Sequence, residues 1–212
     1  EKAPSFKAET TQGPLSFPDD FKGKWVVFFS HPADFTPVCT TELGYMAGLK
    51  DEFARRNTKI MGLSVDSTED NKNWLPDIEE VSGNKVDYPV IGDSDLNVAK
   101  LYNMLPADES GTAEGRTAAN NATVRTVYII GPDKKLKLSM TYPMSVGRNF
   151  AEVLRALDGL QRTYEQPLAT PANWETGQDV IVALSLDDAA AEEKYGALDK
   201  KLPYLRFAKT PG

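Results

Sequence analysis

The sequence contains one cysteine and one histidine. One cysteine cannot close an internal disulfide, so a secreted disulfide scaffold is excluded and a reducing compartment, the cytoplasm, is the expected setting. One cysteine and one histidine fall short of the four ligands of a structural zinc site, and no metal or cofactor is expected. Long apolar runs are missing too. The strongest, Trp25-Val26-Val27-Phe28-Phe29, is far shorter than the roughly 20 residues that span a bilayer, and no membrane partner is expected. Positive charge is in deficit, with 24 Lys and Arg against 31 Asp and Glu. Such a surface repels phosphate backbones, which argues against nucleic acid as a partner. There is no internal repeat or low-complexity tract, and the N-terminus Glu1-Lys2-Ala3-Pro4 shows no signal-peptide pattern.

What is present is an ordinary globular mix over 212 residues, enough for one domain with an appendage. Residues 25–31 are β-branched and aromatic and predict a buried strand. After a short loop, the spacing of Leu43, Met46, Ala47, Leu49 and Phe53 predicts a helix from Thr40 to Arg56, with Lys50 at its rim. Residues 59–65 and 88–91 predict two more strands. Between them a helix spans 69–80, with a break or restart at Pro76. Ser94 is the expected cap of a helix over 95–102, and the small polar residues of 106–122 read as a loop. Residues 123–130 and 135–142 flank the turn Gly131-Pro132-Asp133-Lys134 and predict a hairpin. Arg148 to Tyr164 has the pattern of a long amphipathic helix.

Alternating strands and helices followed by a hairpin and a helix predict an α/β fold with a mixed sheet. The composition changes at about residue 166, which divides the chain into 1–165 and a tail, 166–212. Pro167, Pro171 and Pro203 punctuate the tail, and Val180–Leu184 is its one strong apolar run. About 47 residues do not easily bury a core alone. The tail is therefore expected to pack on the main domain or on another subunit.

Cys39 lies between a strand and a helix. With Thr36 as the N-cap, Pro37 takes the first helical position, where its missing N–H costs nothing. Cys39 then falls in the first turn, and the Thr36 hydroxyl is expected to accept from the Cys39 backbone N–H. Free N–H donors and the positive end of the helix dipole favour a thiolate there. A lone intracellular cysteine is equally at home as a small buried hydrophobe, and composition alone leaves both readings open.

The stretch Pro32-Ala33-Asp34-Phe35-Thr36-Pro37-Val38-Cys39-Thr40-Thr41-Glu42 resembles the active-site signature P-x-x-x-(T/S)-x-x-C of the peroxiredoxins. Beginning at Ser30-His31, it resembles the one-cysteine, peroxiredoxin-6-like branch of the AhpC/TSA family. The likeness continues in order through Val124-Arg125-Thr126-Val127, Gly131 to Leu138, Tyr142-Pro143, Gly147-Arg148-Asn149-Phe150, Ala169-Thr170-Pro171-Ala172-Asn173-Trp174 and Tyr204-Leu205-Arg206. It covers nearly the whole chain.

The resemblance implies a thioredoxin-like fold, a central mixed sheet flanked by helices, with a small C-terminal extension that contacts a partner in a homodimer. It implies a thiol peroxidase that reduces hydrogen peroxide and small alkyl hydroperoxides. Cys39 matches the cysteine that becomes sulfenic acid. Thr36 matches the hydroxyl that accepts from the peroxide and donates toward the sulfur. Pro32 matches the proline that shields the pocket, and Arg125 the arginine that stabilises the thiolate and the transition state. Arg148 matches a second arginine near the site, and His31 a histidine near the pocket. Each has a plainer reading: Thr36 as a cap, Pro32 as a strand end, Arg148 as a surface residue, His31 as a satisfied core histidine. Arg125, inside the apolar stretch 123–130, must meet an anion wherever it is buried. Cys39 and Glu42 are the candidates, and an Arg125–Glu42–Arg148 network is the expectation.

No second cysteine exists to resolve a sulfenic acid, so an external thiol, glutathione or another small thiol or redoxin, must do so. The absence of C-x-x-C argues against a thioredoxin-type oxidoreductase. Some members of the branch hydrolyse phospholipid through a Ser in G-x-S-x-G. The corresponding stretch here, Asp19 to Val26, has no Ser and no upstream His, so that activity is not expected.

Overall fold

The computed structural model describes residues 1–106 and 122–210. Nearly all of the loop expected at 106–122 falls outside them. Two compact units are present, 1–148 and 149–212.

In the first unit a hairpin of β1 (Phe6–Thr10) and β2 (Gly13–Phe17) leads through a 3-10 turn to β3 (Trp25–Ser30). Then come α1 (Pro37–Gly48), α2 (Lys50–Arg55), β4 (Thr58–Ser64), α3 (Thr68–Ser82), β5 (Val90–Gly92), α4 (Asn97–Leu101), β6 (Arg125–Ile130) and β7 (Leu136–Tyr142). The strands form one mixed sheet in the order β2-β1-β5-β4-β3-β6-β7. β3, β4 and β5 run parallel, while β6 runs antiparallel to β3 and forms the predicted hairpin with β7. All six residues of β3 are buried, as a central strand covered on both faces requires. Val26 and Phe28 join a core with Phe17, Met61, Leu63, Ile91 and Tyr102. Phe29, pointing the other way, meets Tyr88 at 5.9 Å between ring centroids. Because β3 and β4 are parallel neighbours, the loops that leave their C-terminal ends begin side by side.

Several local expectations are corrected. The helix expected over 40–56 begins at Pro37, as the Thr36 cap position implies, and is two helices, broken at Leu49 (φ −90°, ψ 6°). α3 runs through Pro76 without ending, and Ser67 caps it by accepting from Asp70 N–H at 3.0 Å. The N-cap position of α4 is Leu96, and the first-turn N–H groups are met by Asp93 rather than Ser94: its carboxylate accepts from Val98 and Ala99 N–H at 3.1 and 2.7 Å. α1 and α3 approach closely at Gly44, where a Cβ would stand 2.5 Å from Ser82 Cβ.

The second unit holds α5 (Phe150–Thr163), β8 (Leu168–Ala169), β9 (Val180–Val182), α6 (Asp188–Tyr195), β10 (Asp199–Leu202) and β11 (Leu205–Ala208). Asn149 caps α5 by accepting from Glu152 N–H at 3.2 Å, so Arg148 precedes the helix rather than opening it. The tail makes its own sheet, β10-β11-β9-β8. A small core of Leu168, Trp174, Val180, Val182, Ala191 and Ala208 supports it. Trp174 and Val180 are buried within their own unit, whereas Leu184 is 71% exposed.

Candidate active site

Thr36 takes extended backbone angles and Pro37 stands at the first helical position, so Cys39 occupies the first turn of α1 as expected. The hydroxyl geometry differs from the expectation. Thr36 Oγ1 donates to the Ala33 carbonyl at 2.7 Å and makes no hydrogen bond to the first-turn N–H groups. A cap would need the hydroxyl to face the helix, but the turn Ala33–Thr36 draws it back. Its lone pairs stay available to an incoming donor.

Cys39 is fully buried. Arg125, the first residue of β6, donates from Nη1 to Cys39 Sγ at 3.4 Å and to Glu42 Oε2 at 2.8 Å. Arg125 Nε and Nη2 both donate to the Met144 carbonyl, at 2.8 and 2.6 Å. All three guanidinium nitrogens are therefore held, and the plane has little freedom to rotate.

Glu42 lies one turn beyond Cys39 on α1. Arg148 approaches it from the other side with three donors: its backbone N–H to Oε1 at 2.8 Å, Nε to Oε1 at 2.9 Å and Nη2 to Oε2 at 2.7 Å. Arg148 Nη1 donates to the Ser30 and Thr126 carbonyls at 2.8 and 3.1 Å, and the guanidinium lies 5.1 Å from the Phe29 ring centroid. Burial pushes the Glu42 carboxyl upward, but the hydrogen bonds and charge of Arg148, with the charge of Arg125, more than offset it. The group is held below the ordinary carboxylate range. The expected Arg125–Glu42–Arg148 arrangement is present as geometry.

Pro32 is buried in the loop between β3 and α1. His31, at the end of β3, is fully buried, and its Nε2 is 2.7 Å from Asp34 Oδ1. Its ring packs on Trp74, 5.3 Å between centroids. Sequence reasoning missed the carbonyl anchors at Met144, Ser30 and Thr126, because backbone acceptors leave no side-chain signal. It also missed Asp34 and Asp66 as partners of this loop: Asp34 N–H donates to Asp66 Oδ2 at 2.9 Å across two strands.

A helix-start cysteine touched by a clamped arginine, on a mixed sheet with parallel central strands, defines a thiol peroxidase of the peroxiredoxin type. The chain belongs to the AhpC/TSA family, which it matches over residues 1–139, and residues 159–197 match the C-terminal domain of 1-Cys peroxiredoxin. It is 47% identical over 212 residues to the mitochondrial peroxiredoxin PRX1 of Saccharomyces cerevisiae, covering 98% of this chain and 79% of the relative. It is 45% identical to Peroxiredoxin-6 of Rattus norvegicus, covering 100% and 96%. Among solved structures, a yeast mitochondrial 1-Cys peroxiredoxin, studied for thiol resolution via glutathione/thioredoxin systems, aligns with TM-score 0.88 and 44% identity over 99% and 98% of the chains. A cysteine-to-serine mutant of Peroxiredoxin 6 of Arenicola marina aligns with TM-score 0.90 and 40% identity over 100% and 97%. The fold is thus thioredoxin-like, and the protein is a thiol-dependent peroxidase.

Proposed function

We propose that Cys39 is the peroxidatic residue and that Arg125, held by Glu42 and Met144, is its electrostatic partner. The observation that carries this is the 3.4 Å contact from Arg125 Nη1 to Cys39 Sγ. Two guanidinium cations and one carboxylate leave one positive charge over, and a Cys39 thiolate balances it. In the reaction the sulfur attacks one peroxide oxygen, the O–O bond breaks, and the electron pair leaves on the distal oxygen. Hydrogen peroxide yields sulfenic acid and hydroxide, and an alkyl hydroperoxide yields sulfenic acid and alkoxide. Arg125 faces the charge as it moves from sulfur to oxygen, which is where a preorganised donor contributes most. Thr36 accepts from the peroxide O–H, since its own proton is committed to Ala33. Pro32 keeps water from the pocket. Arg148 and Glu42 hold Arg125 in place, and His31 is a supporting residue beside the loop.

Resolution needs an external thiol. A first thiol displaces water from the sulfenic acid to give a mixed disulfide, and a second releases Cys39 and leaves as the oxidised disulfide. The yeast relative points to glutathione or a thioredoxin as the source. The protein acts as a homodimer in a reducing compartment such as the cytoplasm, with residues 1–165 as the catalytic domain and 166–212 as the extension.

Fully reduced protein mixed with one equivalent of hydrogen peroxide, followed by tryptophan fluorescence and trapped with dimedone, tests the assignment. Fast oxidation with one adduct, absent in Cys39→Ser, is expected. Oxidation no faster than that of a free thiol would remove it.

A further inference from the structure

We infer that His31, Asp34 and Asp66 form a binding site for one divalent first-row transition ion beside the loop that carries Thr36. This is separate from the peroxide chemistry and does not depend on it. His31 leaves the end of β3, Asp34 sits in the loop that follows, and Asp66 follows the end of β4. The parallel pairing of β3 and β4 brings the two segments together. One nitrogen of His31 and one oxygen from each carboxylate lie within 4.8 Å of one another.

The electrostatics ask for a cation. Asp34 is 7% exposed, and its Oδ2 is buried without a hydrogen-bond partner. Among the described residues neither carboxylate has an ion pair with Lys or Arg; His31 is the only basic side chain at the cluster. Two carboxylates this close in a low-dielectric site need a positive charge or a proton between them.

The donor set identifies the class of ion. One imidazole nitrogen and two carboxylate oxygens suit zinc, manganese or iron(II) better than magnesium or calcium, which take oxygen alone. A buried amide is linked to the cluster through Ser64. Asn71 is fully buried, its Oδ1 has no partner, and its Nδ2 donates to Ser64 Oγ at 3.3 Å. Ser64 Oγ in turn lies 3.4 Å from Asp34 Oδ1. Trp74 packs against the imidazole and fixes its plane. Asp66 is only half-buried, which gives an ion a way in. Counting cysteine and histidine alone made a metal site unexpected, because that count leaves out carboxylate ligands.

An ion on Nε2 leaves the single ring proton of His31 on Nδ1, which is buried and unpartnered. Because this is the only histidine, its nitrogen resonances report on the site without overlap. The test titrates Zn²⁺ into tag-free, chelator-treated, fully reduced protein, by calorimetry and by ¹H–¹⁵N spectra of the imidazole. The expected result is one ion per chain, displacement of the His31 ¹⁵N signals, and the same stoichiometry in Cys39→Ser. In Asp66→Asn, checked for native circular dichroism, affinity should fall about tenfold or more. Absence of binding would mean that a shared proton satisfies the carboxyl pair, and the proposal would be wrong. Binding that leaves the imidazole signals unmoved, or that disappears in Cys39→Ser, would equally overturn it.

Discussion

Replacing Glu42 by Gln tests the site and the scaffold together. Glu42 accepts from four donors, three on Arg148 and one on Arg125, at 2.7 to 2.9 Å. The three side chains are at most 4% exposed. Gln has the same shape but no charge, and its amide nitrogen would face donors instead of accepting from them. Two guanidinium groups would stay buried with one anion fewer. Removing one partner of a buried ion pair costs about 3–5 kcal/mol, whereas an exposed pair is worth no more than about 1 kcal/mol. With a urea m-value of roughly 2 kcal/mol/M, the unfolding midpoint should fall by about 1.5–2.5 M. Urea unfolding followed by circular dichroism and tryptophan fluorescence measures this directly. A fall below about 0.5 M would show that the arginines are satisfied without Glu42, and the electrostatic reading of the site would fail. The same variant, combined with Arg148→Met in a cycle on the rate of Cys39 oxidation, should give a coupling of about 0.5–3 kcal/mol. Additive effects would mean that Arg148 does not reach the sulfur through Glu42.

Arg125→Lys keeps the charge and loses the fork that spans Cys39, Glu42 and Met144. The rate of Cys39 oxidation should drop by about 10²-fold or more with the fold retained, and an unchanged rate would show that charge alone suffices. Asp93→Ala removes two N–H acceptors at the start of α4. It should cost about 1–2 kcal/mol in thermal or urea unfolding and leave the oxidation rate unaltered. Acid should act through Glu42 and Asp34 in opposite senses. The Glu42 carboxyl is held below its ordinary value of 4.5, so its contribution is full above that value and is lost as pH falls through the lower folded value. Asp34 is held above its ordinary value of 3.8, so it opposes folding as pH rises past that point. Below pH 4.5 the stability of the wild type should therefore fall more steeply than that of Glu42→Gln. Parallel curves would contradict the assignment.

How much of this was legible in the sequence depended on whether the cause was local. The strand Trp25–Ser30, the start of α1 at Thr36-Pro37 and the hairpin of β6 and β7 are each dictated by neighbours in the chain, and all were readable. Local reasoning failed where two local hydrogen-bond partners competed. Thr36 had a choice between first-turn N–H groups and the Ala33 carbonyl, and Asp93 displaced Ser94 because a carboxylate reaches two N–H groups at once. The N-terminal hairpin was missed because Phe6–Thr10 and Gly13–Phe17 bury little on their own and gain stability only once β1 meets β5. The tail of about 47 residues is too short to bury a core easily, but α5 clusters with it and lengthens the unit.

Burial of charge was legible in a different way. Arg125 in an apolar strand announced that an anion must be near, and the candidates Glu42 and Cys39 both prove to be within reach. The same rule, applied to acids, would have asked what faces Asp34 in a loop packed under Trp74. His31, three residues upstream, answers it with Nε2 at 2.7 Å from Asp34 Oδ1, and the structure adds a second carboxylate, Asp66. A buried charge in a sequence states that a partner is required. Only the pairing of distant elements says which partner it is, as it brings Arg125 to Glu42 and Asp66 to the loop that carries Asp34.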